Sequence, residues 1–316
     1  MLRIAVLDDY QSVSADHADW SALPEKAEVV AFADHVADED ALVARLDPFD
    51  VVVAMRERTP FPRGVLARLP NLKLLVTTGE KNASIDLDAC RDHDVVVCGT
   101  GSSARSTVEL TWALILAAVR HVPEEVAAVR AGGWQHTVGT DLAGARLGVV
   151  GLGRLGGKVA QVGRAFGMDV VAWSQNLTEE RAAEVGVRRV ERDELLSTSD
   201  VVTIHLKLSD RTRGLIGRDE LALMKPTAYL VNTSRGPIVE EAALVEAVSG
   251  GRIAGAAVDV YDVEPLPPDA PIRQLRNAVL TPHLGYVTTG SYAVYFREAV
   301  EDVAAWLAGD PVRRLA

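Results

Sequence analysis

Residues 146–157 read Arg146-Leu147-Gly148-Val149-Val150-Gly151-Leu152-Gly153-Arg154-Leu155-Gly156-Gly157, and the fold turns on how this stretch is read. A short apolar run, RLGVV, leads into Gly151-x-Gly153-x-x-Gly156, and a run with helical periodicity, KVAQVGRAF, follows at once. A bare G-x-G-x-x-G says little; a strand before it and a helix behind it supply the context it needs. Gly151 then permits the tight turn, and Gly153 lets backbone N–H groups approach a pyrophosphate. Gly156 allows the helix to lie close on the strand, and the anion rests on the positive helix end, beside Arg154 and Leu155. The plain alternative is an ordinary βα turn in a chain with 25 glycines. Both flanking elements favour a dinucleotide site.

Outward from this loop the pattern repeats. Downstream, 169–173, 200–204, 228–231, 254–258 and 278–280 are short strand-like runs separated by amphipathic stretches, which with 146–150 makes six strands, enough for a doubly wound sheet. Upstream, 3–7, 28–32, 50–54, 72–76 and 94–98 alternate with helical stretches at 38–46, 62–68 and 86–92, a five-stranded α/β unit. Runs apolar throughout belong to strands buried on both faces, as in parallel sheets covered by crossover helices. Residues 105–131 read as a long helix with an interruption near Pro123. The closing stretch 289–309 is a helix with no further strand to feed, so it is expected to pack back on the first unit and make that unit discontinuous.

Composition sets the outer limits. The chain has 316 residues, 48% hydrophobic and 24% charged, the balance of a globular protein of about two domains. Its 33 basic and 44 acidic residues leave a net charge of −11 without a basic run, which disfavours a nucleic-acid surface. Cys90 and Cys98 are too few for a disulfide framework and lack metal-site spacing, so no metal is expected. The opening MLRIAVLDDYQ has two acids directly after a short apolar run, unlike a signal peptide and too short for a bilayer. A reducing, cytoplasmic setting with no membrane partner is the expectation.

One part of the dinucleotide fingerprint is missing. An Asp or Glu about 20 residues past the loop should meet the adenosine ribose, yet the strand 169–173 runs into Ser174-Gln175-Asn176. No carboxylate stands there to repel a 2′-phosphate and no arginine to attract one, so NAD or NADP stays an open choice. Three other polar residues sit just past strand ends of the second series, where a doubly wound fold opens its ligand crevice. They are Arg235 in VNTSRG, Glu264 in DVYDVEP and His283 in TPHLG. Each has a plain alternative, as a turn cap, a solvated acid and a loop histidine; the shared location makes a joint coincidence less probable. A guanidinium offers a planar fork to a carboxylate. A histidine can donate a proton to the oxygen that becomes an alkoxide when hydride reaches the adjacent carbon, and take it back in reverse; a neighbouring carboxylate favours the imidazolium and orients the ring. Such a set performs the reduction of a 2-keto acid.

The chain resembles the D-isomer-specific 2-hydroxyacid dehydrogenase family over essentially its whole length, through SSARSTVELTWALILAAVR, GGW, DLAGARLGVVGLGRLGGKVA, NTSRGPIVEEAAL, AAVDVYDVEP and TPHLG. The resemblance implies an α/β fold of two doubly wound parallel-sheet domains. A Rossmann NAD(P)-binding domain, 104–285, would be inserted in a flavodoxin-like substrate domain, 1–103 plus 286–316, and a homodimer would form through the cofactor domains. It implies Arg235, Glu264 and His283 as the catalytic trio, Asp259 facing the nicotinamide carboxamide, and Thr107, His205, Thr233, Ser234 and Gly285 along the cofactor. It also implies a substrate carboxylate held by backbone N–H groups near Thr78 and Gly79, with Arg56 at a position that contacts the substrate's distal group in some relatives. Departures from the family pattern are Glu80 and Lys81 in the 77–86 loop and Lys207 where proline is usual. The reaction expected is hydride transfer between NAD(P)H and a small 2-keto acid to give a D-2-hydroxy acid. A dinucleotide-sensing, co-repressor-like dimer and a phosphite-type dehydrogenase are the other readings; Glu264 argues against formate oxidation.

Overall fold

In the computed structural model, which describes residues 1–23 and 26–316, all the described strands pair in parallel. Their runs of Val, Ile, Leu and Ala leave no polar face for water, so each sheet has to be covered on both sides. The chain divides into two units, Met1–Ser103 with Val287–Ala316, and Ala104–Tyr286. Tyr286, placed with the first unit by the sequence reading, belongs to the second.

The first unit holds β1 (Leu2–Val6), β2 (Ala27–Ala31), β3 (Val51–Ala54), β4 (Leu74–Thr77) and β5 (Val96–Gly99), in the order β2-β1-β3-β4-β5. This is the flavodoxin-like order, whose winding reverses between β1 and β3. Ala5, Val52, Leu75 and Val97 pack on one face with Leu46, Leu66 and Cys90. The final helix, Thr289–Leu307, packs against β4 and β5 and buries Tyr295 and Phe296. The tail then turns back along β5, where Gly99 N–H donates to Arg313 O (3.0 Å) and Leu315 N–H to Val97 O (2.7 Å). An otherwise open sheet edge is thereby covered.

The second unit holds β6 (Arg146–Val150), β7 (Asp169–Trp173), β8 (Arg188–Arg189), β9 (Val201–Ile204), β10 (Tyr229–Asn232), β11 (Gly255–Val258) and β12 (Ala278–Leu280). Their order is β12-β11-β10-β9-β6-β7-β8, the dinucleotide-fold order extended by one strand, with the switch point between β6 and β9. Strand β8 adds a seventh member to the six expected. Two arginines carry no apolar run, and only their backbone pairing with Val171 and Ala172 makes them a strand. The expected break near Pro123 comes slightly earlier: one helix spans Arg105–Val119, His121 turns left-handed (φ 52°), and a second helix spans Val122–Arg130. Pro123 sits in the first turn of that second helix, where its missing N–H leaves nothing unsatisfied. Helix Arg105–Val119 presses Val108, Trp112 and Ile115 onto the sheet face bearing Val149, Val231 and Ala257, with Trp112 stacked on Phe166 at 5.0 Å.

The same electrostatic tie holds the entry to the central strands of both sheets. Asp50, before β3, accepts from Arg3 N–H (3.0 Å) and Lys73 Nζ (3.0 Å). Asp200, before β9, accepts from Arg146 N–H (2.8 Å) and Lys225 Nζ (2.8 Å). Burial acts to raise both carboxyls, but the amide and lysine donors outweigh it and each ends below the usual carboxylate range. A depressed folded pKa gives stability that is present above the unfolded value and is lost as pH falls through the folded one. Asp50→Ala and Asp200→Ala should each cost roughly 1–3 kcal/mol at pH 7, and the difference from the parent chain in urea denaturation should shrink steadily below about pH 4.

Candidate active site

The glycine loop leaves β6 at the switch point. Gly151 has φ +101°, and a Cβ there would stand 2.7 Å from the His205 carbonyl. A Cβ on Gly156 would collide with the carbonyl of Gly151, so the turn closes only with glycine at both positions. Gly153 is different: it caps the helix Arg154–Ala165 in an extended conformation, and a Cβ there would meet nothing within 4 Å. That helix N-terminus, with open space over Gly153 and exposed Arg154 beside it, suits a diphosphate. His205, one residue past β9, bonds through Nε2 to Thr203 Oγ1 (2.9 Å), and its buried Nδ1 has no partner among the described residues. Burial pushes this imidazole down to about 4, so it is neutral at pH 7 and offers an uncharged group at the switch point. Past the end of β7, Ser174 is half-buried and Gln175 exposed, with no carboxylate before Glu179. These residues fit a pyrophosphate-bearing dinucleotide.

Past β11 and β12, Glu264 and His283 come together. Glu264 Oε2 lies 2.6 Å from His283 Nδ1, while Oε1 accepts the Tyr261 N–H at 2.9 Å. Both side chains are about one-fifth exposed. His283 has φ 55°, a left-handed backbone that costs a non-glycine residue energy. What holds it there is Asp259, fully buried at the end of β11. Its Oδ1 accepts from Thr281 Oγ1 (2.6 Å) and Leu284 N–H (2.7 Å), and Oδ2 from Gly285 N–H (2.9 Å). Burial pushes the Asp259 carboxyl up, opposed by these donors and by His283 nearby. Three of the roughly four acceptor positions of this carboxylate are thus spent on the segment bearing His283. Thr107 Oγ1 donates to Gly285 O (2.9 Å), tying the same segment to helix Arg105–Val119.

Arg235 follows β10 in a turn shaped by Asn232, whose Nδ2 donates to Arg235 O (2.9 Å) and whose Oδ1 accepts from Ser234 N–H (3.0 Å). The Arg235 guanidinium donates to Ser234 O at 2.7 Å. Thr233 and Ser234 use their hydroxyls inside the protein, on Thr111 Oγ1 (2.8 Å) and Ile204 O (2.7 Å). At Gly236 a Cβ would run into the Tyr261–Asp262 peptide. The absent side chain lets the Arg235 turn lie on the very loop that carries Glu264, and Tyr261 links that loop onward, its hydroxyl donating to Thr281 O at 3.0 Å. Arg235, Glu264 and His283 are therefore borne by three touching segments.

In the first unit, Arg56 follows β3 with φ 54°. Its N–H donates to Thr78 Oγ1 (3.0 Å), its guanidinium to Thr78 O (3.3 Å), and Asn82 Nδ2 donates to Arg56 O (2.6 Å). A Cβ at Gly79 would strike that guanidinium, which accounts for the glycine. The amides expected to hold a carboxylate are already committed: Thr78 N–H to Ala54 O (3.0 Å) and Gly79 N–H to Thr100 Oγ1 (2.8 Å). These two N–H groups tie the loop after β4 to the ends of β3 and β5. Tyr292, Tyr295 and Phe296 anchor the final helix, with Tyr292 Oη donating to Gln11 Oε1 at 2.9 Å.

The family model "D-isomer specific 2-hydroxyacid dehydrogenase, NAD binding domain" matches residues 112–285. The chain belongs to the D-isomer specific 2-hydroxyacid dehydrogenase family. It is 39% identical over 255 residues to the glyoxylate reductase of Aeropyrum pernix, covering 78% of this chain and 76% of that one. It is 37% identical over 277 residues to the D-3-phosphoglycerate dehydrogenase of Archaeoglobus fulgidus, covering 87% of this chain. The chain spans about half the length of that relative, 52%. The crystal structure of a phosphoglycerate oxidoreductase from Vibrio cholerae O395 superposes with a TM-score of 0.93 at 40% identity, covering 98% of this chain and 100% of that one.

Within this member of the dehydrogenase family, sequence reasoning overlooked Asn232 and Thr281, which shape the Arg235 and His283 turns. An Asn at a strand end two residues before a turn serine is the pattern of a side chain bonding its own backbone, and it could have been read. Thr281 gives no such local sign, because its partner Asp259 is 22 residues away. The glycine loop generates a clear expectation. Gly153→Ala should leave thermal unfolding within about 2 °C of the parent, since the methyl group meets no protein atom, yet weaken NADH binding by about tenfold or more in a fluorescence titration. Equal loss of stability and binding would contradict it.

Proposed function

We propose that the protein is an NAD(P)-dependent reductase of small 2-keto acids, forming the D-2-hydroxy acid and running in reverse as a dehydrogenase. The observation that carries this reading is the 2.6 Å contact of Glu264 with His283 Nδ1, on a loop that Gly236 joins to the Arg235 turn. The similarity to a glyoxylate reductase and to D-3-phosphoglycerate dehydrogenases supports the 2-hydroxy acid class, and the glycine loop with His205 supports the dinucleotide. Gly151, Gly153 and Gly156 with the first turn of helix Arg154–Ala165 would hold the diphosphate, and Thr107, Ser174, Gln175 and His205 would flank the rest. The bound nicotinamide supplies or accepts the hydride. Ser174 and Gln175 carry no charge, so either NAD or NADP is accommodated.

The protein's own part is to bind, orient and move a proton. The planar fork of Arg235 takes the substrate carboxylate and polarises the adjacent keto oxygen. Nδ1 of His283 is engaged by Glu264, which assigns proton exchange with the substrate oxygen to Nε2. In reduction Nε2 donates to the oxygen as it gains negative charge; in oxidation it removes the hydroxyl proton, and Glu264 stabilises the imidazolium formed. Asp259 keeps this proton carrier at a fixed position through Thr281, Leu284 and Gly285, the kind of placement on which rates depend steeply.

A homodimer through the second unit belongs to the same proposal. Helix Val122–Arg130 exposes Val122, Val126 and Val129, and the segment after it exposes Trp134 and Val138, the latter at 91%. That segment is pinned: Glu125 Oε1 accepts from His136 N–H (2.9 Å), Thr137 N–H (2.6 Å) and Thr137 Oγ1 (2.7 Å). A fixed apolar patch of this kind calls for a covering surface.

Two outcomes test these assignments. His283→Ala should lower kcat by about 10³-fold while NADH affinity stays within about twofold, and Arg235→Lys should raise KM and lower kcat together, because an ammonium cannot reproduce the fork. Turnover near the parent rate in either variant would refute the roles given. For the assembly, Val126→Glu with Trp134→Ala should convert a dimer to a monomer in light scattering; an unchanged mass would place the contact elsewhere.

A further inference from the structure

We infer that Lys207 makes the protein prefer NADP(H) to NAD(H), by meeting the 2′-phosphate that distinguishes the two cofactors; this rests on the dinucleotide reading of the glycine loop. Strand register sets where that phosphate would come. Ile204, Val150 and Trp173 lie level across β9, β6 and β7, so the chain leaves the three strands side by side, at His205, Gly151 and Ser174. The Gly151 loop is held between the other two. Gly151 N–H donates to Trp173 O (2.8 Å), and a Cβ on Gly151 would stand 2.7 Å from His205 O and 2.8 Å from Leu206 Cδ2. A dinucleotide fold reads the 2′ position of the adenosine ribose past the strand that follows the glycine loop, here β7. The turn after β9 is two strand spacings away, roughly 10 Å, a gap that a lysine side chain and a phosphate group fill together.

These two turns present uncommitted polar groups on fixed backbones. Ser174, Gln175 and Asn176 make no side-chain hydrogen bond among the described residues. Their turn is held by Leu177 N–H donating to Ser174 O (3.0 Å) and by Arg189 Nε donating to Leu177 O (3.0 Å). Two arginines of the same segment are already spent, Arg189 on Glu191 (2.8 Å) and Arg181 on Glu184 (2.6 Å). Lys207 is not. Leu206 and Leu208, on either side of it, pack on the core of the second unit, which leaves Lys207 exposed, with no ion pair or side-chain hydrogen bond among the described residues. Its backbone is pinned, because Thr212 Oγ1 donates to Lys207 O (2.7 Å) and accepts from Ser209 N–H (2.8 Å). A net charge of −11 opposes a further anion at long range. A phosphate monoester, close to doubly charged at pH 7, is then favoured by a local cation without a partner of its own, and lysine serves phosphate as a point charge. In NAD(H) the same corner carries a hydroxyl, which gains no such charged bond.

Fluorescence titration of the full chain with NADPH and with NADH tests this, since the two differ only in the phosphate. The parent should bind NADPH about tenfold or more tighter than NADH, and added NaCl should weaken NADPH more steeply. Lys207→Ala should weaken NADPH by about tenfold, keep NADH within about twofold and remove most of the excess salt dependence, whereas Lys207→Arg should retain the preference. Gln175→Glu, which sets a carboxylate past β7, should reverse the preference by like-charge repulsion. A parent that binds both cofactors alike or favours NADH overturns the inference, as does equal weakening of both by Lys207→Ala, the mark of a structural role. Binding of neither cofactor would refute the dinucleotide reading itself. A clear NADPH preference that depends on Lys207, in a protein that reduces no 2-keto acid, would sink the proposed reaction and leave the role of Lys207 standing.

Discussion

Parallel pairing is the constraint from which the rest follows. When all strands of a sheet run the same way, all their carboxyl ends open on one edge, and every turn that leaves those ends is brought to a common rim. In the second unit that rim receives the Gly151 loop from β6, Ser174 from β7, His205 from β9, Arg235 from β10, Asp259 from β11 and His283 from β12. Residues as distant in the chain as 151 and 283 are brought to one rim without any local sequence relation. The cost is a sheet buried on both faces, and the Val, Leu and Ala content of the strands meets it.

Convergence on a rim is coarse, and the finer placement comes from close backbone approach. Gly236 lets one turn lie on the Tyr261–Asp262 peptide, Gly156 lets a helix begin against Gly151, and Gly79 makes room for the Arg56 guanidinium. In each case the missing Cβ is replaced by a backbone or a charged group of another segment. Fully buried Asp259 does the complementary task, spending its charge on two amides and a hydroxyl of a single turn. Its desolvation is tolerable because those donors replace water.

Strain collects where function is proposed. Arg56 and His283 both have left-handed backbones, at φ 54° and 55°. Each is over-determined by hydrogen bonds from outside its own turn, Thr78 and Asn82 for the first, Asp259 and Thr107 for the second. Unfavourable dihedrals persist only under such restraint. The mobility that a proton carrier or a substrate clamp would otherwise have is removed in advance, which is the structural meaning of preorganisation.

Much of this was legible in the sequence alone. Periodicity located eleven of the twelve described strands, because a buried parallel strand has to be continuously apolar; β8 escaped because its pairing is a backbone property indifferent to Arg188 and Arg189. The glycine spacing declared its loop, since only glycine tolerates φ +101° at 151 together with the contact at 156. Arg235, Glu264 and His283 could be singled out as strand-end polar residues, because the edge of the sheet is deducible from strand direction. What required three dimensions was the use to which each group is put. That the Thr78 and Gly79 amides are spent on Ala54 and Thr100, and that Asp259 braces a turn 22 or more residues away, depend on distances between segments remote in the chain. Local pattern names the chemical groups, whereas only packing decides which of their hydrogen bonds are already made.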